Sequence, residues 1–456
     1  MGYSCHRRSF LVSLSLAPLI QSVKSAPIVL GDVSKPAILG GTPIRREPFP
    51  SWPRWTPKLE GRALQSVLDS GKWGRLDGHQ VDIFEQEWGD TLGVPYVVAT
   101  NCGTSALTTC LNALEIGPGD EVIVPPYTFI ATVSVVLSQF ALPVFVDTDP
   151  ETFQIDATKI EPALNSNTRA LMPVHLGGGC ADMDAIMTLS KERDIPVIED
   201  ACQSHLAEWR GEMTGTLGLG GCFSFQSSKN LNCGEGGAIV SKDPEFIAAC
   251  RSFHNSGRPY EVTPGGEVIG RSGAGFQYER NGSNVRPTEF QGALLSAQLQ
   301  HLENEARRRE DQAAYLSTLL DSIQGLDPIE AYSGCSRNAY HLYMMRYNPE
   351  GFSGLSRRRF LKALRAEGIP ASGGYSPLNA EPFLRRSLES RSFRRVYSAK
   401  KIRSFWERIE CPNNDRVCQE AVWFGQTTLL GNKQDMEHIA GAVSKIQRYA
   451  GSIAKI

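Results

Sequence analysis

From Pro95 onward the sequence repeats one pattern, in which short apolar runs alternate with helix-length amphipathic stretches. Seven runs read as strands: Tyr96–Thr100, Glu121–Val124, Pro143–Asp147, Ala170–His175, Pro196–Asp200, Cys222–Gln226 and Gly237–Ser241. The segments Ser105–Leu114, Ala131–Phe140, Ala181–Glu192 and Pro244–Ser252 read as the accompanying helices. This alternation predicts an α/β domain with a mainly parallel sheet and right-handed crossovers. Ligands of such sheets bind beyond the carboxyl ends of the strands. The residues that follow each strand are therefore the ones to read for function.

A length of 456 residues exceeds one ordinary domain. Thr288–Arg309 reads as a helix, and beyond about Ala331 a short strand (His341–Tyr347) mixes with helices (Arg357–Glu367, Gln434–Tyr449). That mixture predicts a smaller C-terminal α+β domain. The expected division is a signal over 1–26, an extended arm over 27–58, a large domain over 59–310 and a small one over 311–456. The arm is rich in proline (Pro36, Pro43, Pro48, Pro50, Pro53), a composition that favours an extended chain lying on a neighbouring surface. Leu59–Ser70 has helical spacing. The stretch 258–284 is rich in Gly and polar residues and reads as a long excursion.

The first residues differ from the rest. Arg7-Arg8-Ser9-Phe10-Leu11 precedes an apolar run to Ile20 and small residues at Ser25-Ala26. The run is shorter than the roughly 20 residues a bilayer requires. The order matches a secretory signal of the twin-arginine type, and predicts export to the periplasm; the alternative is a cytoplasmic protein. No other stretch is long and apolar enough for a membrane helix. A net charge of -2 offers no footprint for nucleic acid. Arg357-Arg358-Arg359 reads as a solvated helix face. Eleven scattered cysteines include no C-x-x-C pair and no zinc spacing, and their odd number argues against a disulfide framework.

Four strand ends carry chemistry. After Thr100 come Gly103, Thr104 and Ser105 at a helix start. There, backbone N–H groups and the dipole favour an anion, although simple capping by Thr104 explains the same residues. After Val124 comes Tyr127-Thr128-Phe129, an aromatic that could lie on a planar ring or belong to the core. Asp200 ends a buried apolar strand and needs a partner, which a protonated ring nitrogen, an arginine or a cap could supply. Lys229 follows a later strand, with Ser224 five residues before it. Lysine forms Schiff bases with carbonyl compounds, and a desolvated ammonium is costly unless paired or used covalently. An anion seat, an aromatic, a carboxylate and a lysine together match the four needs of pyridoxal phosphate (PLP): phosphate, ring face, ring nitrogen and aldehyde. The glycine fingerprint of a nicotinamide oxidoreductase is missing.

With these residues the chain from about Ile38 to Tyr449 resembles the DegT/StrS family of PLP-dependent sugar aminotransferases, of fold type I. The resemblance rests on Gly103-Thr104-Ser105-Ala106-Leu107, Pro126-Tyr127-Thr128-Phe129-Ile130-Ala131-Thr132, Val146-Asp147-Thr148-Asp149-Pro150 and Pro173-Val174-His175-Leu176. It rests equally on Ile198-Glu199-Asp200-Ala201-Cys202-Gln203, Phe223-Ser224-Phe225 with Lys229-Asn230-Leu231, Gly234-Glu235-Gly236-Gly237, and Asn284-Val285-Arg286-Pro287-Thr288-Glu289. It implies that Lys229 holds PLP, Asp200 pairs with the ring nitrogen, Gln203 lies near the ring hydroxyl and Phe129 stacks on the ring. Thr104, Ser105 and Ser224 would bind the phosphate beside Gly103. Asn284 would reach the phosphate of a partner subunit, with Arg286 on the same loop, which implies a homodimer with shared sites. An amino donor would displace Lys229, whose freed amine then moves the proton at the donor's α-carbon. The segment Glu367 to Leu378 is similar to the branch that aminates keto-inositols with glutamine. Its Tyr375, with Tyr340, His341, His205 and Arg286, makes up the expected substrate side. His205-Leu206 departs from the His-Gly of many relatives. A PLP-binding sensor with little turnover is the alternative reading. An amino donor should bleach the bound cofactor of an enzyme and leave that of a sensor unchanged.

Overall fold

The computed structural model describes residues 34–270, 277–278 and 280–456. The expected signal over 1–26 and the first part of the arm lie outside the described residues.

Seven strands form the main sheet. They are β1 (Tyr96–Thr100), β2 (Glu121–Val124), β3 (Leu142–Phe145), β4 (Thr168–Leu171), β5 (Ile198–Asp200), β8 (Gly220–Ser224) and β9 (Gly237–Ser241), with a short ribbon, β6 (Glu208–Trp209) and β7 (Glu212–Met213), between β5 and β8. Across the sheet the order is β1-β9-β8-β5, then β4-β2-β3; the two halves are joined by parallel bridges Leu171–Val197 and Val174–Asp200. Only β9 runs against its neighbours β1 and β8, so the sheet is mainly parallel. The paired part of β3, β4 and β8 begins and ends earlier than the apolar runs suggest. Val146, Asp147, Val174 and Phe225 are buried beyond the last ladder bond, in loops that leave the carboxyl edge.

Helices cover both faces. Gly103–Ala113, Ala131–Ser138 and Pro244–His254 bury one face through Leu107, Val136 and Ile247. Gln80–Leu92 buries Phe84 and Trp88 against Phe223 and Phe225 on the other. Helices Pro382–Leu388, Arg391–Val396 and Ala399–Trp406 also join the first core, through Leu384, Phe393 and Phe405. Amphipathic helices placed late in the chain thus pack on the early sheet.

A second lobe is built on the antiparallel strands Leu326–Pro328, Leu342–Tyr347 and Ala421–Gly425, with helices Arg357–Ala366 and Lys433–Arg448. The helix Glu289–Leu320 is 32 residues long. Its Leu295, Leu302 and Ala306 belong to the core under β1 and β9, and its Ala313, Leu316 and Leu320 to that of the second lobe. Arg357, expected on a solvated face, donates to Gly373 O and Ala421 O, each at 2.8 Å, and so ties the lobe to the segment before Tyr375.

The arm docks on the second lobe. Ile38, Leu39, Ile44 and Phe49 lie on its core. Ala37 N–H and Ile44 N–H donate to the buried Glu367 carboxylate at 2.7 and 2.9 Å, and Lys445 Nζ pairs with the same group at 3.0 Å. No described helix is long and apolar enough to cross a membrane, and the described cysteines are all free thiols.

Candidate active site

A cavity of about 590 Å³ opens beyond the carboxyl ends of β1, β2, β5 and β8. Gly103, Thr104, Phe129, Asp200, Gln203, Ser224, Lys229, His341 and Tyr375 line it, so it gathers residues far apart in the chain.

The floor begins at β1. Helix Gly103–Ala113 starts here, and its cap is the Cys102 thiol, which accepts from Ser105 N–H at 3.4 Å; Thr104 is not the cap. A helix start leaves its first N–H groups without intrahelical acceptors, and those of Gly103 and Thr104 face an anion's natural seat. Gly103 is there for space. A Cβ on it would stand 2.7 Å from Ser224 Cβ and 3.1 Å from Cys202 Sγ. The Ser105 hydroxyl turns to Cys102 Sγ at 3.2 Å, away from the role expected for it.

Asp200, at the end of β5, is buried and held by two donors: Thr132 Oγ1 at 2.8 Å and Cys202 N–H at 3.2 Å. Thr132 has no role in the sequence reading. A buried carboxylate requires such donors, and a threonine at the start of the helix after β2 was the signal available. The neighbouring Glu199 is wholly buried and faces the other way. It accepts from Gly215, Leu217 and Gly218 N–H at 2.7–2.8 Å and pairs with His175 Nε2 at 2.9 Å, fixing the loop between β5 and β8.

Lys229 follows β8, on a turn in which its N–H donates to Gln226 O at 2.8 Å. Its amine has no hydrogen bond or ion pair among the described residues. Burial lowers its pKa below the ordinary lysine range, against the opposing pull of Cys202 and Asp200. An amine so placed is more available as a free base, and thus as a nucleophile and proton carrier.

Over the cavity, Gln203 Oε1 accepts from Gly177 N–H at 2.9 Å and its Nε2 donates to Tyr375 Oη at 3.0 Å. Tyr375 stands edge-on to Tyr127 and Trp423. His341 Nδ1 lies 3.2 Å from Asn230 Oδ1, whose own Nδ2 donates to Ala339 O at 2.7 Å. Burial, and then the charge of Lys229, pushes His341 well below its ordinary pKa, so its ring is neutral. Phe129 is 55% exposed at the rim.

Besides Ser105, four expected substrate or cofactor contacts are not on this wall. His205 is wholly buried among Trp88, Phe223 and Phe225, and its Nε2 donates to Ser224 O at 2.9 Å. Its place is structural, because the aromatic cage closes over it. Tyr340 lines a neighbouring cavity with Tyr343 and Glu310. Arg286 donates to Asn255 Oδ1 at 2.7 Å. Asn284 is exposed, and its backbone bridges to Asn255.

A model of the DegT/DnrJ/EryC1/StrS aminotransferase family matches residues 57–443. The chain belongs to that family. Among similar DegT/DnrJ/EryC1/StrS aminotransferases is the L-glutamine:2-deoxy-scyllo-inosose aminotransferase of Streptomyces paromomycinus, 36% identical over 420 residues, or 91% of this chain and 97% of that protein. The enzyme of the same name from Streptomyces fradiae is 33% identical over 435 residues, or 92% and 100%. The crystal structure of 3-amino-5-hydroxybenzoic acid synthase superposes with a TM-score of 0.78 at 29% identity, covering 90% of this chain and all of that one. The fold is therefore that of the fold type I aminotransferases, and the chain is an enzyme of that kind.

Proposed function

We propose that this aminotransferase uses PLP to move the amino group of L-glutamine to a keto-cyclitol of the inosose class. One observation carries the cofactor: the unpartnered Lys229 amine shares a cavity with buried Asp200 and with the open start of helix Gly103–Ala113. The residues fit PLP. The helix start, Thr104 and Ser224 would take the phosphate; the missing side chain of Gly103 lets that helix start pack close against Ser224 and Cys202. Asp200, oriented by Thr132, would hold a proton on the ring nitrogen. Gln203 would face the ring hydroxyl, and Phe129 the ring. PLP supplies an electron sink for the donor's α-carbon and stores the amino group between half-reactions. Lys229 moves the proton at that carbon, first as base and then as acid.

The names and 33–36% identity of the relatives support glutamine as donor and a cyclitol as acceptor. His341 and Tyr375 line this cavity and would meet acceptor hydroxyls. The purified enzyme should be yellow and should bleach on addition of L-glutamine. Scyllo-inosose should then restore the colour better than nucleotide-linked keto-sugars do. Lys229→Ala should show no donor-driven bleaching; bleaching in that variant would refute the assignment. The Arg7-Arg8 segment supports export through the twin-arginine route. Arg7→Lys with Arg8→Lys should hold the protein in the cytoplasm, and unchanged export in a fractionation assay would dismiss that route.

A further inference from the structure

The neighbouring cavity that Tyr340 lines, of about 380 Å³, also opens on Cys335. Cys335 is half-buried at the start of strand Cys335–Arg337, which pairs with β6 so that Cys335 lies opposite Trp209. Behind it stands Cys180, 2% exposed, in the loop between β4 and β5. Both side chains belong to one apolar cluster with Trp209 and Ala339. The Cys180 thiol donates to Glu208 O at 3.4 Å, on the very strand that Cys335 pairs with. The two thiols are in hydrogen-bond contact, and Cys180 N–H reaches Cys335 Sγ as well.

The pair is unequal. Cys335 is reached from the cavity, and the hydrogen bond from Cys180 holds its thiol below the ordinary thiol range, so more of it is thiolate. The same contact, and then burial, keeps Cys180 protonated. Thiol–disulfide exchange needs an accessible thiolate with a second thiol at hand to resolve it. Cys110 and Cys222 offer a contrast. Their sulfurs are 3.4 Å apart, but both are wholly buried in the main core, out of reach of an oxidant.

We propose that Cys180 and Cys335 form a redox-active dithiol that closes into a disulfide on meeting a small-molecule disulfide such as glutathione disulfide. The Cys335 thiolate attacks one sulfur of the oxidant; the S–S bond breaks, and the other half leaves and takes up a proton. Cys180 then loses its proton and attacks Cys335 Sγ, expelling the second half as a thiol. The protein's two thiols give up two electrons and two protons, and the oxidant becomes two thiols. The link joins two segments that carry the active-site wall. Just before Cys180, Gly177 N–H donates to Gln203 Oε1 at 2.9 Å. Just after Cys335, Ala339 N–H donates to Gly178 O at 2.9 Å, and Ala339 O accepts from Asn230, the neighbour of His341. The disulfide thus braces Gln203 and His341 from behind. Export by the route proposed above would take the chain to a compartment where disulfides persist.

The experiment incubates the purified full-length protein with glutathione disulfide or with dithiothreitol and maps the products by mass spectrometry. Wild type should lose two titratable thiols and yield one peptide pair linked through Cys180 and Cys335, while Cys110 and Cys222 stay reduced. Cys180→Ala should stop at a mixed disulfide of Cys335 with glutathione. Cys335→Ser should react at neither position. Oxidised wild type should melt about 3–8 °C above the reduced form, the shift expected from closing a loop of about 150 residues in a protein of this size. Cys335→Ser should show no such difference. If a variant fails to fold, the linked peptide and the melting shift of wild type carry the test. No reaction, a glutathione adduct that never resolves, a link that leaves out either cysteine, or equal melting of the two forms would each overturn the proposal.

Discussion

Lys229 shows how much one side chain can be read from its surroundings. Its place after an apolar strand and before a glycine cluster already set it apart, because an ammonium at a buried edge needs a reason. Asp200 was legible by the same argument. Thr132 was not, since nothing local to it says that its hydroxyl meets a carboxylate 68 residues away. His205 was misread because a histidine close to a motif looks functional until its neighbours are known. Three aromatics enclose it, and burial lowers its pKa to about 3. The unfolded chain takes up a proton near pH 6.5, where the folded chain does not. His205 therefore leaves stability untouched above that pH and erodes it as pH falls toward 3. His205→Asn keeps a donor for Ser224 O but does not titrate there. The variant's unfolding free energy from urea titration should fall less steeply between pH 6.5 and 4.5, by up to about 1.4 kcal/mol per pH unit. Parallel pH curves for the two proteins would contradict this.

Among the elements, β1, β2 and β9 match their apolar runs residue for residue, while β3, β4 and β8 stop short of theirs. Apolarity reports burial, and the loops at the carboxyl edge are as buried as the strands. Hydrogen-bond pairing ends where the chain turns to build the cavity. The sequence reading assigned no helix to 382–406, and nothing local to those residues names their docking partner. A helix declares an apolar face and not what covers it. The arm was expected to lie on a neighbour, and Glu367 is the hook that holds it. This carboxylate joins two arm N–H groups to Lys445 inside the second lobe. Glu367→Ala would leave Lys445 buried without its counter-ion. A loss of about 3–5 kcal/mol is expected from equilibrium unfolding, together with faster proteolysis of the arm. Unaltered protease sensitivity would show that apolar contacts alone secure it.

At the scale of the molecule, both lobes line the cavity that holds Lys229, and Asn284 and Arg286 lie elsewhere on the subunit. Their sequence motif makes sense if a second copy completes the site, and we predict a homodimer. Asn284→Ala should release PLP faster on dialysis while sedimenting as wild type does; equal retention would remove the argument for shared sites. The helix Glu289–Leu320, at 1.5 Å per residue, is about 48 Å long. Each of its ends is sunk in a different core. Such a beam resists any swing of one lobe about the other, because bending it breaks its ladder and freeing it strips a core. With the lobes held in place, reactants come and go past side chains at the cavity rim, of which the exposed Phe129 is one.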